Sequence, residues 1–180
     1  SRGLGDVYKR QDELGVHSYD KRILTLASQY SGYPEHFFRE ADETLNGSLI
    51  TKQLQALPKH HAPTGELSKF TSDDRLFDYQ KIIIEKLAAS ESCVIVGKCA
   101  DYILKDYDNV VSIYVEAPRS YTLRRVMERM DDITVEEAHH LITKTDKYRA
   151  DYYKYYTGQE WKNAQNYDLS LDSSRLGFDG

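Results

Sequence analysis

Cys93-Val94-Ile95-Val96-Gly97-Lys98-Cys99-Ala100-Asp101 is the stretch on which the reading of this chain turns. Val94, Ile95 and Val96 follow Cys93 without a polar interruption, and Gly97 ends the run. A run this short and this rich in β-branched residues reads as a strand buried on both faces, the habit of parallel sheets. Upstream, Leu76, Phe77, Tyr79, Ile82, Ile83 and Leu87 recur at helical spacing behind a cap at Thr71 or Ser72. Downstream, residues 110–116 form a second run of the same kind. A helix feeding a buried strand, twice over, predicts a three-layer α/β domain around a parallel sheet.

The rest of the chain fits that pattern. Residues 16–19 are expected to form a strand and residues 21–30 a short helix. Ser31-Gly32-Tyr33-Pro34 breaks that helix, and residues 35–43 form another that offers Phe37 and Phe38 to the core. Residues 58–73 are polar, contain Pro58, Pro63 and Gly65, and read as a surface loop. Pro118 and Ser120 precede a helix to about residue 130, with Leu123, Val126 and Met127 inward. Thr134-Val135-Glu136-Glu137 is a capping box that opens a long helix to about residue 156. Residues 167–172 read as a last strand.

Bulk properties narrow the function classes. A length of 180 residues favours one domain with a sizeable core. The net charge of −5 implies no general affinity for nucleic acid or anionic membranes. No apolar run is long enough for a spanning helix, and no signal-peptide pattern stands out. Cys93 and Cys99 fit a reduced cytoplasmic protein better than a disulfide scaffold. His60-His61 and His139-His140 lack a carboxylate or cysteine to complete a ligand set, so no metal site is expected through them.

Ligands of open α/β sheets bind beyond the carboxyl ends of the strands. Those ends read Tyr19-Asp20-Lys21, Gly97-Lys98-Cys99-Ala100-Asp101, Glu116-Ala117-Pro118-Arg119 and Asp172-Ser173-Ser174. Their charged and polar side chains fit an anionic or hydrogen-bonding substrate, although strand ends are loops and loops are polar anyway. On the long helix, Lys144, Lys147, Tyr148 and Asp151 share one face, and Asp146, Arg149 and Tyr153 share a neighbouring one. Phosphoryl transfer needs such cations, because it is catalysed mainly by positioning and charge neutralisation. A solvated amphipathic helix with tyrosines as packing accounts for the same letters. Arg119, Arg124, Arg125 and Arg129 on the preceding helix read by default as a charged outer face.

Taken in order, several segments resemble the cytidylate-kinase-like family, a branch of the P-loop nucleoside monophosphate kinases. They are Tyr19-Asp20-Lys21, the stretch from Val94 to Leu104, Ala117-Pro118, Lys144-Thr145-Asp146-Lys147-Tyr148-Arg149, the tyrosine run from Tyr152 to Gly158 with Trp161, Tyr167-Asp168-Leu169, and Asp172-Ser173-Ser174-Arg175-Leu176-Gly177. Position 98 departs from the family pattern: Lys98 stands where arginine is usual, keeping the charge and losing the bidentate fork. The resemblance implies transfer of phosphate from ATP, with Mg²⁺, to a nucleoside monophosphate, CMP or dCMP. It implies that Tyr19, Asp20, Gly97, Lys98 and Asp101 bind on the monophosphate side, with Arg125 as a further phosphate contact. Lys144, Asp146 and Arg149 then belong to a catalytic lid spanning about residues 131–160.

The glycine-rich phosphate loop of such kinases, GxxxxGK[ST], is missing from these 180 residues. Residues 1–11, SRGLGDVYKRQ, are read as the translation of a sequencing adapter, whose last six codons would be GAT GTG TAT AAG AGA CAG. On that reading the native domain is residues 12–180, opening on the last turn of a helix at Asp12-Glu13-Leu14-Gly15. It lacks its first strand and phosphate loop, stops short at the other end, and is inactive as written. Two other readings stay open: a non-catalytic nucleotide-binding regulatory module on the same fold, and an unrelated α/β protein whose tyrosine-rich helix binds a partner.

Overall fold

The computed structural model describes residues 15–43 and 72–176. The loop expected at 58–73 lies outside the described residues up to position 71, its last two residues belong to a helix instead, and the helix end at 12–14 also lies outside them. The chain divides into two compact units, 1–104 and 105–180.

In the first unit, strand β1 (His17–Tyr19) leads into helix α1 (Arg22–Ser31), and helix α2 (Glu35–Glu43) follows. Helix α3 (Ser72–Ser90), strand β2 (Cys93–Ile95) and the single turn α4 (Ala100–Ile103) complete it. Gly32 closes α1 in the left-handed conformation at φ 74°, and its N–H reaches Ser28 O at 2.9 Å. That cap is the reason glycine stands there. The core lies where the three helices meet: Ile23, Leu24 and Ala27 of α1, Phe37 and Phe38 of α2, and Leu76, Ile83, Ile84 and Leu87 of α3 are buried. Burying each large side chain among these contributes on the order of 1.5–3 kcal/mol. Tyr79 takes Tyr30 and Tyr33 edge-on, with ring centroids at 6.3 and 5.8 Å.

The face that α3 turns inward differs in detail from its apolar pattern. Phe77 and Ile82 are only half-buried, whereas Ile84 and the polar Gln80 are buried, Gln80 at 1% exposure. Positions 76, 80, 83, 84 and 87 form the stripe that a helix presents to one side, and Gln80 falls on it whatever its polarity.

The second unit begins after Leu104. Strand β3 (Ile113–Glu116), helix α5 (Arg119–Arg129), helix α6 (Val135–Thr157), a 3₁₀ turn (Ala164–Asn166), strand β4 (Leu169–Asp172) and the turn α7 (Ser173–Leu176) follow in order. The capping box at the head of α6 forms in both halves: Glu137 N–H donates to Thr134 Oγ1 at 3.2 Å, and Thr134 N–H donates to Glu137 Oε2 at 2.9 Å. Gly158, at φ 72°, ends α6. An aromatic cluster fastens the end of α6 to β3: Tyr114 stacks on Tyr167 at 5.1 Å and meets Trp161 edge-on at 5.8 Å, while Tyr153 lies 6.4 Å from Tyr167.

The fold is mixed α/β with two small parallel sheets. β1 pairs with β2 in the register His17–Cys93, Ser18–Val94 and Tyr19–Ile95. β3 pairs with β4 in the register Ile113–Leu169 through Glu116–Asp172. The expectation that both apolar runs are buried on two faces fails. Val94 is 52% exposed and Val115 60%, while Tyr114 beside it is 9% exposed. Exposure alternates along each strand, the mark of a sheet covered on one face. In α5 no side chain is fully buried, and Met127, expected inward, is exposed.

Candidate functional site

Parallel pairing in the first unit brings two strand ends together. Val96 N–H donates to Tyr19 O at 2.8 Å, so the chain leaves β1 and β2 at the same edge. From β1 this edge receives Tyr19 and Asp20; from β2 it receives Gly97, Lys98 and, one turn on, Asp101. Tyr19 is buried, and its hydroxyl donates to Glu91 Oε1 at 2.6 Å. The other Glu91 oxygen is 2.5 Å from His17 Nδ1. The hydrogen bond to Glu91 and burial push the Tyr19 phenol up, and the bonds from Tyr19 and His17 hold the Glu91 carboxyl below the usual range. Glu91 therefore supports this edge from beneath. Nothing in its sequence setting marks it, because its partners sit more than 70 positions away.

Asp20 is exposed, and its carbonyl accepts from Ile23 N–H at 3.2 Å as the chain turns into α1. Gly97, Lys98 and Cys99 adopt left-handed backbone in succession, at φ 71°, 59° and 55°. Ala100 N–H closes the turn on Gly97 O at 3.1 Å. A turn with both central residues left-handed calls for Asn-Gly or Gly-Gly; here they are Lys98 and Cys99. Each non-glycine residue held so costs roughly 1–2 kcal/mol. Cys99 is buried and pins the strained turn, while Lys98 is half-buried at its tip. Asp101 stands in the first turn of α4, half-buried.

Four of the candidates belong to the second unit. Arg125, on α5, donates from Nη1 to Glu128 Oε2 at 2.7 Å. Lys144, Asp146 and Arg149 lie in the middle of α6. Lys162 Nζ stands 3.6 Å from Asp146 Oδ2. The neighbouring cations are taken: Lys147 pairs with Asp151, and Lys154 with Glu160, which raises the Lys154 ammonium above its ordinary value. Lys144 and Arg149 are exposed and make no ion pair among the described residues. Neither of these two cations, five positions apart, joins the helix's own salt-bridge pattern.

No glycine-rich phosphate loop occurs among the described residues. Each of the four described glycines has a positive φ, and a Cβ added to any of them meets nothing within 4 Å. The left-handed backbone of each accounts for glycine at these positions. No three His, Cys, Asp or Glu side chains converge on a cation-sized site among the described residues. No described helix is long and apolar enough to cross a membrane.

The sequence profile of the cytidylate kinase-like family matches residues 11–175. The chain belongs to that family. A crystal structure of an uncharacterized protein from Eubacterium ventriosum is similar at 30% identity and a TM-score of 0.53, covering 60% of this chain and 70% of that one. No match was found among curated proteins. Membership in the cytidylate kinase-like family places the protein among kinase-type transferases with nucleotide substrates.

Proposed function

We propose that the protein is built to phosphorylate a nucleoside monophosphate from ATP, with CMP or dCMP as acceptor. The observation that supports this reading is the shared edge of β1 and β2: the parallel pairing sends Asp20 from one strand and the strained Gly97–Cys99 turn, followed by Asp101, from the other. Polar groups at adjacent parallel strand ends are where α/β domains bind ligands. Backbone strain at such an edge fits a side chain held in place for binding rather than for stability. Lys98 supplies a point charge to the acceptor phosphate, while Asp20 and Asp101 take hydrogen-bond donors of the nucleoside. Tyr19 and Gly97 shape the edge; in the second unit, Arg125 is a cation suited to phosphate.

Lys144, Asp146 and Arg149 act in a lid of about residues 131–160. Arg149 offers the fork that matches phosphate oxygens, and Asp146 holds Lys162 within reach. Residues 12–180 are read as a three-layer, cytoplasmic P-loop kinase-like domain. ATP brings the transferable phosphoryl group, and Mg²⁺ neutralises its charge. The glycine-rich loop that would cradle them is missing from these 180 residues, so no step is assigned to the bound pair.

Two measurements on the 180-residue protein test this. Titration calorimetry with CMP, dCMP, UMP and AMP is expected to show binding that favours the cytidine nucleotides. Equal affinity for all four, or none, would sink the acceptor assignment. A coupled assay with ATP and CMP is expected to show no turnover, and measurable turnover would overturn the role given to the missing loop.

A further inference from the structure

Arg119 opens α5, and its placement there needs explaining. The amino end of a helix carries the positive end of the backbone dipole and disfavours a cation. Pro118 contributes no side-chain cap, and the first turn of α5 contains no acid to offset the charge. The guanidinium instead reaches across to α6. Nη2 donates to His139 O at 2.6 Å and to Thr143 Oγ1 at 2.7 Å, and Nε faces His139 Nδ1 at 3.3 Å. Thr143 Oγ1 in turn donates to His139 O at 2.8 Å. One planar fork thus grips three acceptors on a single turn of α6.

The gripped turn ends at Thr143, and Lys144 is the next residue. On the other side, only Ala117 and Pro118 separate Arg119 from the last residue of β3. We propose that Arg119 is a positioning residue, a strap that fixes the angle of α6 against the carboxyl end of β3 and so aims Lys144, Asp146 and Arg149 at nucleotide phosphate. The phosphate half of this statement rests on the function proposed above. Exposed polar pairs of this kind contribute little to stability, but a rigid fork on three acceptors fixes direction. The strap should therefore be visible in geometry and ligand affinity more than in melting temperature.

The test compares the 180-residue protein with Arg119→Met, which keeps the aliphatic stem, and Arg119→Lys, which keeps the charge without the fork. Residual dipolar couplings of backbone amides in α5 and α6, measured without ligand, report the orientation of the two helices. Calorimetry with inorganic tripolyphosphate reports the cations. Arg119→Met is expected to broaden or tilt the α5–α6 orientation, to leave the thermal midpoint nearly unchanged, and to weaken tripolyphosphate about tenfold, the scale of one misdirected charge-assisted contact. Arg119→Lys is expected to restore only part of either property. Unchanged couplings in Arg119→Met overturn the strap, as does a lowered midpoint with unchanged couplings, which marks a merely stabilising contact. Altered couplings with unchanged affinity overturn the positioning role. If the unsubstituted protein binds no tripolyphosphate while Arg119→Met still alters the couplings, the phosphate-site reading fails and the strap itself stands.

Discussion

Lys98→Gly should move stability and binding in opposite directions. Lys98 holds φ at 59° in the turn that closes on Gly97 O. Releasing a non-glycine residue from that region recovers about 1.5 kcal/mol. Glycine gives part of this back through the freedom it gains in the unfolded chain, about 0.7 kcal/mol. The difference is a net stabilisation of about 0.8 kcal/mol. For a chain of this size each kcal/mol moves the midpoint by about 2–4 °C, so the melting temperature should rise by about 2–3 °C. The lost ammonium should cost about 1.5–3 kcal/mol of charge-assisted contact with the acceptor phosphate, which weakens CMP by roughly tenfold or more. Calorimetric melting and CMP titration of the same two samples read both effects. A fall in melting temperature would refute the strain, and unchanged CMP affinity would refute the role of Lys98.

Gln80→Met should be neutral or stabilising. Gln80 Oε1 is buried without a hydrogen-bond partner among the described residues, and replacing a buried unsatisfied amide with an apolar side chain of similar shape removes its desolvation cost. Urea denaturation checks this, and a loss of more than about 1 kcal/mol would reveal a partner for the amide. Acid should loosen the fold through its hydrogen-bonded carboxyls. Glu91, Glu137, Asp168 and Asp172 all sit below their usual values, through bonds from Tyr19, Thr134, Ser112 and Ser174 respectively. Depressed carboxyls stabilise the fold above their unfolded values, and that contribution disappears as pH falls through the folded ones. Stability followed by circular dichroism should therefore decline as pH falls below about 4; a flat profile to pH 3 would contradict it.

Local features were legible in the sequence because neighbours produce them. The Thr134 capping box is spelled out in four letters and forms as spelled. The breaks at Gly32 and Gly158 follow from the residue that tolerates left-handed backbone. Non-local features were not legible. Whether Val94 and Val115 are covered depends on what packs against each strand, and their letters are those of covered strands elsewhere. The left-handed pair Lys98-Cys99 has no propensity signal, since both side chains disfavour the conformation. Arg119 looked like one more surface charge on α5, and only the packing of α5 on α6 shows the acceptors it reaches. For the candidate site, the strand of Tyr19 could be read from its letters, whereas the bond from Tyr19 to Glu91 needed the fold.

The clasp between Ser112 and Asp168 has a consequence for how the chain assembles. Ser112 N–H and Oγ donate to Asp168 Oδ2 at 2.7 and 2.8 Å across 56 residues, and the β3–β4 ladder begins at that knot. The β1–β2 ladder spans a comparable distance, with His17 and Glu91 74 residues apart. Ladders between strands so far apart must close large loops before any bond rewards them. The helices between them form from neighbours and need no such search. Folding should run from helical hairpins to late strand pairing, with the shared edge that carries Lys98 among the last parts to take shape.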